Sequence, residues 1–246
     1  MDYVIAIPSY NRYKTIEKKT LKMLNECNIK KDNISIFVAN IEQKILYEEE
    51  IGNDYNIVIG ELGMCNIRNF ITDYYEEGKY IIFIDDDITS IKKGQLDGKV
   101  VTKSYNLTEI INDGFKLCKE NDTKLWGLHP SNNCRSLKSK NIITTDLKYI
   151  IGAFYGVIND KSIKVTIDCA EDFERTILYY KKYGKVIRIN NMSAFTTYYS
   201  NGGLNDSGRT NDTDLDHKKK LCDLYPDYCK LYKTNYKTIN IKFKSL

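Results

Sequence analysis

Residues 80–88 read YIIFIDDDI, and no other stretch constrains the chain as much. An apolar run, Tyr80 to Ile84, ends in three consecutive carboxylates, Asp85, Asp86 and Asp87. Five apolar residues without alternation predict a strand buried on both faces. Three adjacent carboxylates repel one another, and burying them unpaired costs more than a fold can spare. A divalent cation is the simplest relief. Side chains alternate along an extended chain, so Asp85 and Asp87 are expected on one face and Asp86 on the other. Hard oxygen ligands on one edge suit Mg²⁺ or Mn²⁺ carried by a phosphorylated ligand. A solvated acidic turn is the competing reading. The strand that leads into the triplet weighs against it.

The residues before this strand predict what surrounds it. Tyr3–Ile7, Ile34–Ala39 and Tyr55–Ile59 read as further buried strands, and Thr15–Asn28, Ile41–Ile51 and Ile67–Tyr75 as helices between them. Ile16, Thr20, Met23, Leu24 and Cys27 recur at helical spacing in the first helix, and Ile45 and Leu46 are expected to face inward in the second. Strand–helix alternation with short loops predicts an α/β fold with a mostly parallel sheet. Ligands of such sheets bind beyond the carboxyl ends of the strands. Pro8–Arg12 follows the first strand, where Pro8 cannot donate to a ladder, so it is expected at the same edge as the aspartates. No G-x-G-x-x-G follows that strand, which disfavours dinucleotide binding.

Beyond the triplet, residues 91–102 read as a hairpin, Leu107–Lys119 as a helix, Leu125–Leu128 and Val186–Asn190 as strands, and Tyr149–Ile158 as a strand pair or bent strand. Gly152 and Gly156 mark close backbone approach within the last of these. Asp168–Tyr180 is a helix whose start carries a second acidic pair, Glu171 and Asp172. Acidic residues in a first helical turn also simply complement the macrodipole. Beside a metal-type edge, a catalytic base is the functional alternative. Thr196–Thr210 is rich in Gly, Asn and Ser and reads as a flexible loop or lid. Asp214–Tyr225 reads as helical. The C-terminal residues 230–244 interleave five lysines with Tyr232, Tyr236 and Phe243, which suits either nucleic-acid contacts or a frayed basic tail.

Length and composition bound the function. The chain has 246 residues, 42% of them hydrophobic, enough for a sizeable core in one continuous domain. A net charge of +4 is too mild to indicate nucleic acid by itself. Seven cysteines without a C-x-x-C pair, and only two histidines, make structural zinc improbable and predict reduced thiols in the cytoplasm. The chain enters a strand within three residues, which predicts no signal peptide, and no apolar run approaches the roughly 18 residues of a membrane span.

The order of these motifs resembles the GT-A class of nucleotide-sugar glycosyltransferases. They appear here as Ile7-Pro8-Ser9-Tyr10-Asn11-Arg12, Gly63 to Asn69 (GMCNIRN), Asp85-Asp86-Asp87 as a D-x-D motif, and Glu171-Asp172. The block from Gly60 to Ile88, GELGMCNIRNFITDYYEEGKYIIFIDDDI, is similar to the core of the TET/JBP-associated glycosyltransferase family of phages, other viruses and kinetoplastids. IPSYNR, KTLKML, EDFERTILYYKKYGKVIR and YYSNGGL resemble that family as well, while the segment after about residue 210 matches none of its motifs.

The resemblance implies a GT-A fold in one domain: residues 1–90 would form a nucleotide-sugar-binding half, 91–210 an acceptor half and 211–246 a helical basic C-terminal segment. It implies an inverting, Mn²⁺- or Mg²⁺-dependent transfer of glucose from UDP-glucose onto the hydroxymethyl group of a modified pyrimidine in DNA, in the cytoplasm of an infected cell. Asp87 and Asp85 would hold the metal, with His217 as a late ligand or merely a surface residue beside Lys218–Lys220. Pro8, Ser9 and Tyr10 would line the base pocket. Asp85 and Asp86 would attend the nucleotide, and Arg12, Arg68 and Arg209 the diphosphate. Asp172 would be the general base, with Glu171 positioning or replacing it. His129 would lie near the acceptor. Rival readings are a GT-A transferase building a viral or surface glycan, a non-catalytic DNA-binding module, and a nucleotidyltransferase.

Overall fold

Strand β1 (Tyr3–Pro8) sits inside an eight-stranded sheet and pairs in parallel with β2 (Ile34–Val38) on one side and β4 (Tyr80–Ile84) on the other. The computed structural model describes every residue except 95–99, 102–105, 132, 138–139, 197–209, 236–237 and 246. Across the sheet the order is β3-β2-β1-β4-β9-β7-β10-β8, where β3 is Asn56–Ile59, β7 Leu125–Leu128, β8 Ile143–Thr144, β9 Phe154–Ile158 and β10 Ile187–Ile189. Only β9 and the edge strand β8 run against the rest. The expected mostly parallel α/β sheet is thus observed.

Strand β4 is buried on both faces, and its side chains alternate between two cores. Ile82 and Ile84 join Ile5, Ile7, Trp126 and Phe154 on one face, whereas Ile81 and Phe83 join Ala6, Tyr155 and Val157 on the other. This is the period-of-two signature of a central strand. Gly156 on β9 lets Trp126 pack flat, since a Cβ there would lie 2.1 Å from the indole nitrogen.

The reversal of β9 matters for the site. Its chain arrives along Tyr149–Ala153 at the carboxyl edge of β4, with Ile84 paired to Phe154 and the Asp85 N–H donating to the Ala153 carbonyl at 3.0 Å. Of the strand pair or bent strand expected over Tyr149–Ile158, Phe154–Ile158 forms one strand, preceded by an irregular segment pinned beside the aspartates.

The first helix is α1 (Tyr13–Ile16), a π turn over Glu17–Leu21, and α2 (Lys22–Glu26). Thr20, a polar residue on its apolar stripe, explains the irregularity. Its hydroxyl donates to the Asp85 carbonyl at 2.7 Å and accepts from the Ile88 N–H at 2.9 Å, clamping both ends of the acidic turn. Such π turns recur where function fixes the chain. Helix α3 (Ile41–Ile51) forms where expected but is rotated. Ile45 and Leu46 are 48% and 36% exposed, and Gln43 and Tyr47 face inward instead. Their polar ends meet the loop after β1, and those hydrogen bonds select the face.

Helix α4 (Met64–Tyr74) covers one side of the sheet with α6 (Glu171–Tyr183), and α5 (Leu107–Glu120) covers the other. Strands β5 (Ile88–Gly94) and β6 (Val100–Val101) pair antiparallel, as the hairpin over residues 91–102 requires, and β5 also pairs with β11 (Met192–Thr196). The C-terminal segment differs from a frayed or wholly helical tail. After α7 (Asn211–Leu224), β12 (Cys229–Lys233) and β13 (Ile239–Phe243) form a hairpin. Cys229 and Ile241 bury against Leu221 and Ile177 in a third core. Among the described residues no helix is long and apolar enough to cross a membrane, and no disulfide forms.

Candidate active site

Both carboxylate clusters come to the carboxyl edge of β4, and one buried side chain joins them. Arg68, on the inner face of α4, donates from Nη2 to Asp85 Oδ1 at 3.1 Å and to the Gly152 carbonyl at 3.2 Å. Its Nε lies 3.5 Å from Glu171 Oε1. The guanidinium is 4% exposed and lies 5.4 and 5.6 Å from the Phe83 and Tyr155 rings, which are stacked on each other. Gly152 permits this approach, because a Cβ there would lie 3.1 Å from Glu171 Oε1.

At the acidic turn, the strand ends at Ile84 and alternation ends with it. Asp86 does not point away from its neighbours' partners. Arg12 Nη1 meets Asp86 Oδ1 at 2.9 Å and Asp87 Oδ2 at 3.4 Å, while Asp85 turns to Arg68. Asp86 also accepts from Ser9 Oγ at 2.5 Å, and Ser9 bonds the Tyr47 hydroxyl at 2.6 Å. The loop is shaped for this. Asn11 takes a left-handed conformation, which Asn tolerates, and exchanges two hydrogen bonds with Gln43. That turn sends Arg12 back over the aspartates. Pro8 closes β1, Ser9 is buried as a strut, and Tyr10 is half-buried.

The electrostatics leave a surplus of negative charge. Burial pushes Asp85 up to about 7; Arg68 opposes this, and Asp87, Asp86 and Glu171 add to it. Its side chain is 35% exposed, so solvent screens part of the effect. Asp86 is likewise raised by burial against the pull of Arg12 and Ser9. Burial works against the charge on Arg12, but Asp86, Asp87 and Asp85 outweigh it and raise its pKa. Among the described residues no group of three or more His, Cys, Asp or Glu side chains is placed to enclose a metal ion. The donor set fits a hard cation that shares its coordination with a diphosphate, since Asp85 and Asp87 supply oxygens and too few positive charges.

The second cluster is neutralised differently for each member. Glu171 is 5% exposed and is held by Arg175 Nη1 at 2.5 Å as well as by Arg68. Burial raises its pKa against both guanidinium groups. Arg175 lies over the Tyr155 ring at 3.6 Å. Among the described residues Asp172 has only neutral donors: the Tyr149 hydroxyl and the Gly152 N–H at 3.3 Å on Oδ2, and its neighbour Phe173 N–H at 2.9 Å on Oδ1. Tyr149 stacks on Phe173 with centroids 4.0 Å apart. Just before α6, Asp168 accepts from the Cys65 N–H at 2.7 Å and so satisfies the first turn of α4.

The remaining expected residues scatter. His217 lies on α7, where Nδ1 accepts from the Cys169 N–H at 3.3 Å, and it joins no metal-type cluster with the aspartates. His129 accepts from the Ser131 N–H and is held below the usual imidazole range by burial and by Arg188. Arg209 and nearly all of the Thr196–Thr210 loop lie outside the described residues. Sequence reasoning missed Arg175, Tyr149, Tyr47 and Thr20. The i,i+4 spacing of Glu171 and Arg175, and of Gln43 and Tyr47, was the available signal for two of these four; nothing local marks Tyr149 or the clamp made by Thr20.

No family model and no curated protein matches the sequence. Solved structures do. M. tuberculosis glucosyl-3-phosphoglycerate synthase, crystallised with Mn²⁺, UDP and glucosyl-3-phosphoglycerate, superposes with a TM-score of 0.55 at 10% identity over 98% of this chain and 86% of that one. Its complex with Mn²⁺, UDP-glucose and phosphoglyceric acid gives 0.52 at 11% identity over 99% and 87%. S. aureus TarS gives 0.50 at 16% identity over 79% of this chain, which spans only 59% of that one. The chain has the α/β fold of the GT-A glycosyltransferases, a mostly parallel sheet flanked by helices.

Proposed function

We propose that the chain is a metal-dependent glycosyltransferase that moves a sugar from UDP-glucose or a related nucleotide sugar onto hydroxymethylated pyrimidines in DNA. The observation that carries the enzymatic part is the Asp85–Arg68–Glu171 bridge, which sets a donor-type carboxylate edge beside a buried acceptor-type one. The binding of UDP, UDP-glucose and Mn²⁺ by the M. tuberculosis synthase supports the donor and the metal. The DNA acceptor rests on the resemblance of the Gly60–Ile88 block to the TET/JBP-associated family.

In this reading Asp87 and Asp85 would hold Mn²⁺ or Mg²⁺, and the cation would supply positive charge for the departing diphosphate. Arg12 orients Asp86 and Asp87 and adds positive charge at the same edge. Pro8, Ser9 and Tyr10 form the wall toward the nucleotide, with Ser9 locking Asp86 rather than facing the ligand. Arg68 is a bridge between the two carboxylate groups, because its burial keeps it from reaching a diphosphate in solvent. Asp172 accepts the proton of the acceptor hydroxyl as that oxygen attacks the anomeric carbon and the bond to the diphosphate breaks. A carboxylate held by neutral hydrogen-bond donors is free to take this proton, whereas Glu171 is ion-paired with both Arg68 and Arg175. Attack from the side opposite the leaving group inverts the anomeric centre.

The test incubates the protein with Mn²⁺, a panel of nucleotide sugars and DNA containing hydroxymethyluracil or hydroxymethylcytosine, followed by mass analysis of the nucleosides. A hexosylated nucleoside and free UDP are expected. Transfer of the sugar to simple sugars alone, with release of UDP, would move the acceptor to a glycan, and pyrophosphate as product would make the protein a nucleotidyltransferase.

A further inference from the structure

We infer that the pocket between the Tyr149–Phe173 stack and the C-terminal hairpin β12–β13 holds one nucleotide unit of the acceptor strand. The inference rests on the DNA reading above and adds to it where, and by which side chains, the acceptor is held. The pocket has a volume of about 470 Å³. That is room for a base with its sugar, within the usual range of ligand sites.

Three observations point the same way. The pocket adjoins the proposed base: Tyr149 and Phe173 line it, the Tyr149 hydroxyl donates to Asp172, and Phe173 follows Asp172 in sequence. Its far wall is a built element rather than a tail. Phe243 packs edge-on against Phe173 at 5.5 Å, Ile241 is 4% exposed, and Lys244 Nζ donates to the Pro226 carbonyl at 2.5 Å. Its charge is positive: Lys148, Lys242 and Lys244 line it against Asp146 alone, and Asp146 is already paired with Lys148 at 2.8 Å. The Lys242 charge therefore remains for a phosphate, while Lys244 is tied to the Pro226 carbonyl.

The aromatic lining supplies the other half of the recognition. Tyr232 is 39% exposed on the hairpin, and Tyr232 and Tyr149 both line the pocket. Aromatic stacking is tolerant of base identity and belongs with unstacked or single-stranded nucleotides. An enzyme that acts on a base within a duplex must first take it out of the stack, so a pocket of this size and lining suits such a nucleotide. A neutral sugar acceptor would leave the Lys242 charge without a counter-charge.

The test measures binding of a fluorescently labelled single-stranded oligonucleotide containing hydroxymethyluracil, by anisotropy across a KCl series. Wild type is compared with Lys242→Glu, Tyr232→Ala and Tyr232→Phe, and UDP binding with Mn²⁺ is measured alongside. Lys242→Glu should weaken oligonucleotide binding about tenfold and lower the salt slope by about one. Tyr232→Ala should weaken it about five- to a hundredfold, with Tyr232→Phe within about twofold of wild type. UDP affinity should stay within about twofold in all three. Wild-type affinity in Lys242→Glu and Tyr232→Ala would overturn the pocket while leaving the DNA reading intact, as would a loss in Tyr232→Phe equal to that in Tyr232→Ala. Wild type that binds UDP but neither binds nor glycosylates the oligonucleotide would overturn both.

Discussion

The two carboxylate groups at the sheet edge are chemically alike and electrostatically opposite. Asp85, Asp86 and Asp87 share Arg12 and part of Arg68, so three negative charges meet fewer than two positive ones. Glu171 alone takes the rest of Arg68 and the whole ion pair of Arg175, while Asp172 beside it makes no ion pair among the described residues. The difference separates jobs. A carboxylate clamped between two guanidinium groups is a strut, one held by neutral donors can accept a proton, and a crowded trio invites a cation. The contrast within the second group, one residue apart on the same helix, is the sharper of the two and the easier to break.

The largest effect is expected at Asp172. Asp172→Asn keeps the shape and the neutral donors but removes the proton acceptor, and should lower kcat by about 10²–10⁴. Unfolding by urea should shift by no more than about 1 kcal/mol, and UDP-sugar binding with Mn²⁺ should survive. Glu171→Gln should do the reverse. It strands the Arg175 guanidinium, which lies in the interior over Tyr155, and should cost about 3–5 kcal/mol of stability by the same urea measurement. A stable, inactive Glu171→Gln beside an unstable, active Asp172→Asn would exchange the two roles.

How much of this contrast was readable in the sequence differs between the groups. The buried strand, its acidic end, the helix that starts at Glu171 and the parallel sheet follow from local periodicity, because each is a run whose neighbours decide its burial. The closure of the site does not. Arg68 finds Glu171 across 103 residues of chain, and Tyr149 finds Asp172 only because β9 runs antiparallel and carries Gly152 past Asp85. A reversed strand inside a parallel sheet leaves no mark in the periodicity of Phe154–Ile158. Helix α3 shows the same limit. Ile45 and Leu46 satisfy the apolar pattern, yet Tyr47 and Gln43 turn inward because Ser9, Asn11 and Arg12 offer them hydrogen bonds. The C-terminal hairpin hides because alternating lysine reads as a tail until Ile241 and Cys229 find α7.

The first group should respond to pH through Asp85. With Asp85 pushed up to about 7, the folded, metal-free protein binds a proton that the unfolded chain, near 4, has released. Stability of the metal-free protein should therefore fall as pH rises through about 7. Metal binding has the opposite sign, since Mn²⁺ must displace that proton. Its affinity should climb by up to about tenfold per pH unit below 7 and level off above. Calorimetric titration with Mn²⁺ at several pH values checks this. Asp85→Asn should weaken binding and flatten the dependence, and an unchanged slope in that variant would assign the proton elsewhere.

The smallest effect is expected from the hydroxyl that ties the acceptor pocket to the base. Tyr149→Phe keeps the stack on Phe173 and removes one of three donors to Asp172. The two backbone donors remain, so the carboxylate stays oriented but less tightly. The loss should be about 1 kcal/mol, seen as a roughly fivefold lower kcat with the acceptor KM within about twofold. Tyr149→Ala removes the ring as well and should raise the acceptor KM too. If Tyr149→Phe instead raised KM and spared kcat, the hydroxyl would serve the acceptor directly, and the neutral-donor cradle that distinguishes Asp172 from Glu171 would rest on Gly152 and Phe173 alone.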